Sequence, residues 1–240
     1  MASKRQVPNP EAEEPTDRKS ALGEALRRRI LNMEMSPGTV VDEVSLSEEF
    51  GLSRPPVREL LRQMAAEGYI DLEANRAARV SSMDFQSLRG FFLAAPLVYV
   101  ATTQLAASHA SQADVDGLRR IQERFRTAIE NRDVEGRVLW NDEFHLEIGK
   151  IARNAYLMPS LRRLLIDHAR LGKIFYRHPP TPDMLANLDI AVAQHDEIIE
   201  AIARHDPEAA GGLVRAHLDL SRHRMADYAA PEGVDVPIVY

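Results

Sequence analysis

Apolar positions recur at helical spacing from residue 20 onward. In SALGEALRRRILNMEM, Leu22, Leu26, Ile30 and Met33 stand four, four and three residues apart and line one side of a helix that SPG at 36–38 ends. A short extended piece over 39–41 leads into DEVSLSEEFG, a second helix in which Val44, Leu46 and Phe50 are expected to face inward and Gly51 supplies the stop. The third helix opens on Ser53 as N-cap, with Pro55 or Pro56 in a first turn that has no intrahelical donor to lose. Val57, Leu60, Leu61 and Met64 form its buried stripe, while Arg54, Arg58 and Arg62 recur every four residues on another face. Two short strands follow, 70–72 and 79–81, joined by a turn with Asn75 and Arg76 at its tip. Three helices and a hairpin make a winged helix-turn-helix, with the third helix placed to enter a DNA groove.

From residue 84 to 229 the periodicity is helical throughout, with breaks at Ser111, Arg132, Asn154, HPPTP at 178–182 and Asp206. Short connections between segments of this length predict an antiparallel bundle of six helices, with a kink or break at Pro96. The fold class is therefore mainly α: a tail over 1–17, a winged helix-turn-helix over 18–82, a helical domain over 83–229 and a second tail over 230–240. Three prolines and almost no apolar residues in the first 17 positions predict disorder there.

Charge qualifies this picture without overturning it. The net charge is -6, and residues 1–82 hold 12 Lys+Arg against 14 Asp+Glu, so any surface for a polyanion must be local. Arg27, Arg28 and Arg29, the three arginines of the third helix, and Arg76 with Arg79 are the candidates. The chain has no cysteine, which excludes disulfides and thiolate metal sites and suits a reducing cytoplasm. No apolar run is expected to reach the length of about 20 residues that a bilayer demands, and the N-terminus lacks a signal-peptide pattern.

The first region resembles the GntR-type bacterial transcription regulators. The resemblance is carried by Leu46, Phe50 through Arg54, Pro56 through Leu61, and Glu67 through Ile70. It implies that Arg54 and Arg58 contact operator DNA and that the wing tip reaches the minor groove, although Ala77 or Ala78 stands where the family usually has a wing glycine. Ser53, Arg54, Pro55, Arg58, Arg62 and Arg76 are the DNA-contact candidates, with double-stranded DNA as the partner.

Histidines give the second region its candidate chemistry. Val134, Val138, Asn141, His145, Ile148 and Ala152 define an inward stripe, which puts Asn141 and His145 one turn apart on a buried face. His195 lies 11 residues before the turn at Asp206 and His217 11 after it, so antiparallel helices bring both imidazoles to one height, about 16 Å from the turn. Three imidazoles with one oxygen ligand suit Zn²⁺, Ni²⁺ or a similar divalent ion. His109, His168, His178, His205 and His223 are read instead as satisfied or exposed side chains.

This second region resembles the ligand-sensing FCD domain of the FadR-like branch of the same family, through NDEFH at 141–145, RNAYL at 153–157 and QHDEIIEAIARHDPEAA followed by His217. The resemblance implies metal ligands at Asn141, His145, His195 and His217, and a small organic acid bound over the metal. Asn141 stands where aspartate is common, with Asp142 expected to point off the buried stripe. Phe92 and Pro96 replace a common arginine and glutamate, and the loss of that arginine removes a bidentate carboxylate clamp. Phe92 and Tyr99, with Phe91, line either an apolar effector pocket for an acid, acyl or aromatic molecule or plain core. The whole reads as a cytoplasmic homodimeric repressor on an inverted repeat, not an enzyme. A metallohydrolase using the three histidines is the alternative from another class, with no general base on the buried stripe to serve it. An architectural DNA binder without an effector is the third reading.

Overall fold

A computed structural model describes residues 15–73, 76–176 and 182–229. The two outer tails, Asn75 at the wing tip and His178 lie outside the described residues, as does the side chain of His223.

The N-terminal part is built from α1 (Pro15–Leu31), α2 (Glu43–Glu49), α3 (Arg54–Glu67), β1 (Ile70–Asp71) and β2 (Arg79–Val80). Its core gathers Leu22, Leu26 and Ile30 of α1, Leu46 of α2, the α3 stripe of Val57, Leu60, Leu61 and Met64, and Ile70 and Val80 of the hairpin. The strands are antiparallel, with Ile70 opposite Val80, and a bridge from Val40 to Arg79 adds the extended piece expected over 39–41. Three sequence expectations need correction. The first helix stops at Leu31, because Met33 turns left-handed (φ 59°) before SPG is reached. Val44 is 39% exposed, because in the short α2 only Leu46 is buried. Ser53 occupies the N-cap of α3 but its side chain makes no capping hydrogen bond.

Six helices form the bundle: α4 (Phe85–His109), α5 (Gln112–Glu130), α6 (Val134–Ile151), α7 (Leu157–Tyr176), α8 (Pro182–Ala203) and α9 (Pro207–Ala229). Local chemistry fixes their starts. Asp84 caps α4 by accepting from the Ser87 amide at 2.8 Å, Ser111 and Asp114 form a reciprocal capping box on α5, and Asn154 accepts from the amides of Tyr156 and Leu157 at the head of α7. Arg132, Arg153 and His205 take positive φ where α5, α6 and α8 end. Pro96 sits inside α4 without breaking it, and α4 is long and apolar enough to cross a membrane by length and composition, which the sequence reading had missed. Here it is the central helix of the bundle, burying Leu88, Phe91, Ala95, Tyr99, Thr102, Thr103, Ala106 and Ala107 among others.

The reading helix is tied to the bundle where it ends. Gly68 caps α3 in the left-handed region (φ 93°), and a Cβ there would run into the Arg163 side chain of α7. Gly68→Ala should therefore combine backbone strain of about 1 kcal/mol with a displaced arginine, lowering stability by about 1–3 kcal/mol in urea unfolding, whereas Gly38→Ala, with open space around it, should cost the strain alone.

Candidate DNA interface and imidazole cluster

The first candidate surface is the N-terminal half of α3. Ser53, Arg54, Pro55, Arg58 and Arg62 are all exposed, and the helix dipole favours an anion at that end, with Arg54 supplying the first-turn N–H because Pro55 and Pro56 have none. The uncapped Ser53 hydroxyl is left available for such a ligand. Arg54 and Arg62 form no ion pair among the described residues. Arg58 does, and sequence did not reveal it: its Nε donates to Glu43 on α2 at 2.7 Å, which sets the guanidinium's direction at half exposure. Arg76 at the wing is exposed and pairs with Glu73.

Of the α1 arginines, Arg28 is exposed as a basic patch requires, but Arg27 and Arg29 behave differently. Arg27 grips Glu67 of α3 through three hydrogen bonds of 2.8–3.1 Å and lies over Tyr69, while Arg29 pairs with Glu49 of α2. These two are struts between helices, and Arg79 donates to the Gly38 carbonyl at 2.8 Å.

The second site lies inside the bundle. His145 of α6, His195 of α8 and His217 of α9 are each at most 2% exposed, and one potential ligand atom from each lies within 4.8 Å of the others. Phe144 stacks on His195 at 4.0 Å between ring centroids, and Phe125 flanks the same ring. The decisive detail is which ring nitrogens carry protons. Gln122 of α5 spends its amide donors on the Val192 carbonyl (2.9 Å) and Asp196 (3.1 Å), so its oxygen must accept from His195 Nδ1 at 3.0 Å. Gln194 Oε1 stands 3.0 Å from His217 Nδ1, and in that orientation of its amide it accepts a proton there. With both Nδ1 atoms protonated in the neutral rings, the two Nε2 atoms face each other at 3.2 Å with a lone pair on each. His145 Nε2 is buried with no hydrogen-bond partner among the described residues. Two lone pairs aimed at each other, with the unpartnered His145 Nε2 beside them, suit one shared cation.

Burial keeps these rings neutral. It holds His145 and His195 well below the ordinary imidazole value, with neighbouring imidazoles adding to the shift, pushes His217 down to about 3 and His168 down to about 4. Neutral imidazole is the form that binds a metal.

His168 of α7 is not one of the three. Its Nδ1 lies 3.2 Å from the Tyr99 hydroxyl and 3.5 Å from Asp142, and the Tyr99 ring meets His145 edge-on at 4.9 Å. Asp142 thus faces the buried His168, contrary to the expectation that it points away, and burial raises its carboxyl well above the usual range. Asn141 is half-buried and bonds to the Asp142 carboxylate. Of the expected stripe, Val138, His145, Ile148 and Ala152 are buried and Val134 and Asn141 only partly so, while Arg137 and Phe144 widen the buried face. Of the effector-pocket candidates, Tyr99 reaches the cluster, whereas Phe92 packs partly buried on the bundle core, edge to edge with Phe91 at 5.2 Å. His109 and His205 are satisfied by the carbonyls of Ala152 and Ala107. Sequence reasoning missed Gln122 and Gln194. Gln122 was within reach, because it recurs at core spacing with Val115, Leu118 and Phe125 and a polar residue there demands a partner.

A winged reading head joined to a helical bundle with a buried imidazole cluster defines a two-domain DNA-binding regulator. Residues 18–80 match the model of the bacterial regulatory proteins of the gntR family, and residues 98–220 match the FCD domain. The chain belongs to the GntR family and carries an FCD domain. It is similar to the HTH-type transcriptional repressor RspR of Escherichia coli K12, 26% identical over 193 residues that cover 80% of this chain and 82% of that one. It is also similar to the Exu regulon transcriptional regulator of the same organism, 25% identical over 190 residues, or 72% of this chain and 70% of that one. Among solved structures, E. coli McbR/YncC superposes with a TM-score of 0.75 at 17% identity, covering 88% of this chain and 98% of that one. A GntR-type chain from Rhodococcus sp. RHA1 gives 0.69 at 16% identity, with coverage of 88% and 98%. The protein is a transcription regulator, as these families and relatives are, and the hydrolase alternative finds no support among them.

The imidazole shifts have a definite sign in solution. Unfolded histidines take up protons below about 6.5 while the buried rings do not, so stability present above that pH is lost as it falls towards the folded values. Asp142 opposes this, because the folded chain keeps a proton that the unfolded chain releases above its ordinary carboxyl value. Four imidazoles outweigh one carboxyl. In chelator-treated protein the urea midpoint should drop between pH 7 and pH 5, each histidine contributing up to about 1.4 kcal/mol per pH unit, and His217→Gln should flatten the slope.

Proposed function

We propose that this chain is a cytoplasmic repressor that binds an inverted-repeat operator as a homodimer and is relieved by a small molecule bound with a divalent metal in the bundle. The observation that carries the ligand-sensing half is the lone-pair confrontation of His195 and His217 at 3.2 Å with His145 Nε2 unpartnered beside it. His145, His195 and His217 would hold Zn²⁺, Ni²⁺ or a similar ion. Asn141, whose oxygen is engaged on no histidine among the described contacts, is the residue of the family's fourth position. The metal would offer an open coordination site to a carboxylate-bearing effector, with Tyr99 alongside. The name of the relative RspR favours repression.

Arg54, Arg58 and Arg62 would meet phosphates and base edges in the major groove, with Ser53 and the α3 N-terminus on the backbone. To engage DNA, Arg58 must exchange or share Glu43, so that carboxylate sets how readily the guanidinium is released. A second copy would be met on the bundle: α4 leaves Leu93 (40%) and Leu97 (65%) exposed four residues apart, with the open Gly90 on the same side allowing close approach. Twofold symmetry then dictates two half-sites about 34 Å apart, or a multiple of that.

Arg58→Ala should weaken binding to a promoter fragment carrying the inverted repeat by about 1–3 kcal/mol in gel retardation while leaving the thermal melt of the bundle in place; unchanged affinity would remove α3 as the reading helix. Chelator-stripped protein should take up one Zn²⁺ per chain by titration calorimetry, and His217→Ala should abolish that uptake.

A further inference from the structure

Helix α7 carries two sets of side chains on opposite sides. His168 faces the bundle interior, held by Tyr99 and close to Asp142. Two residues on, about 200° around the helix, Arg170 faces the reading head. Its guanidinium is fully buried; Nη1 donates to the Ser81 carbonyl at 2.8 Å and Nη2 pairs with Asp167. Asp167 also accepts from Arg163 at 2.8 Å, and Arg163 lies over Gly68.

These contacts reach both exits of the reading head. Gly68 ends α3, and Ser81 is the residue that follows β2 on the way to α4. The Arg170 bond is not one the chain can slip. Pulling the Ser81 carbonyl away would leave Nη1 of this buried cation without its acceptor, while Nε already lacks a partner among the described residues. An unsatisfied buried donor is costly even with Asp167 still paired. A shift of α7 therefore carries the end of the wing with it. On the other side, α7 rests on the imidazole cluster through His168, Tyr99 and the edge-on contact of Tyr99 with His145.

We propose that α7 is the lever between the two domains, with Arg170 as the positioning residue that transmits the state of the imidazole cluster to the end of the reading helix and the exit of the wing. The inference rests on the three-histidine site as the sensing site, but its coupling can be tested without metal or effector. The readout is amide hydrogen exchange over residues 68–70 and 80–84 in the chelator-treated full chain, in a double-mutant cycle. Tyr99→Phe removes the hydroxyl from His168 and leaves all three imidazoles. It should change exchange in these two segments at least threefold, and the change should vanish in an Arg170→Met background. Because loss of Arg170 can compromise folding, Arg163→Ala, at the more exposed end of the network, is the second background; there the effect should fade at 68–70 and persist at 80–84. An effect of Tyr99→Phe that is equal with and without these arginines, or no effect at all, overturns the lever. Adding Zn²⁺ to the wild-type chain separates the two claims: failure to bind Zn²⁺ removes the metal reading alone, while binding that leaves both segments unchanged removes the lever alone.

Discussion

Two nitrogen lone pairs held face to face in a dry interior are the constraint on which the functional reading depends. Gln122 and Gln194 impose it from outside by occupying the far nitrogens of His195 and His217, and burial blocks the simple remedy of adding a proton. A bundle could have filled this volume with leucine at lower cost. Instead α6, α8 and α9 each bring one imidazole to a single point, with Gln122 and Gln194 behind them and Phe144 and Phe125 closing it off. Such a concentration of buried polar groups makes sense when the helices are meant to converge on something absent from the polypeptide itself.

The reading head follows a different logic. Its core is wholly apolar, and its charges sort into two roles. Arg27 and Arg29 hold α1 against α3 and α2, so the angle of the reading helix is set by bidentate ion pairs as well as by leucine packing. Arg54, Arg58 and Arg62 stay on the outside. This division explains how a chain of net negative charge can present a cationic edge: acidic residues neutralise Arg27 and Arg29 and tether Arg58, and leave Arg54 and Arg62 to act within a Debye length of a duplex.

Much of this was legible in the sequence because periodicity reports burial directly. Leu22, Leu26 and Ile30, the Val57–Met64 stripe, six bundle helices and the equal height of His195 and His217 about Asp206 all follow from spacing. What spacing could not give was the width of the buried face of α6. Phe144 lies inside, Asn141 is half-buried and Asp142 turns towards His168, because the choice between adjacent positions on a helix is made by neighbours from distant parts of the chain. Arg58 was found but not its tie to Glu43, and Arg27 and Arg29 were misread, since a triple-arginine run looks the same whether it meets phosphate or carboxylate. α4 was underestimated because its apolar residues are interrupted by small and hydroxyl-bearing ones that still bury well between helices.

X-ray absorption at the metal edge of Zn²⁺-loaded protein addresses the imidazole cluster most directly. The account predicts a first shell at about 2.0–2.1 Å with the outer-shell scattering of three imidazole rings, reduced to two rings by His145→Ala. A first shell of oxygens without ring scattering would contradict it.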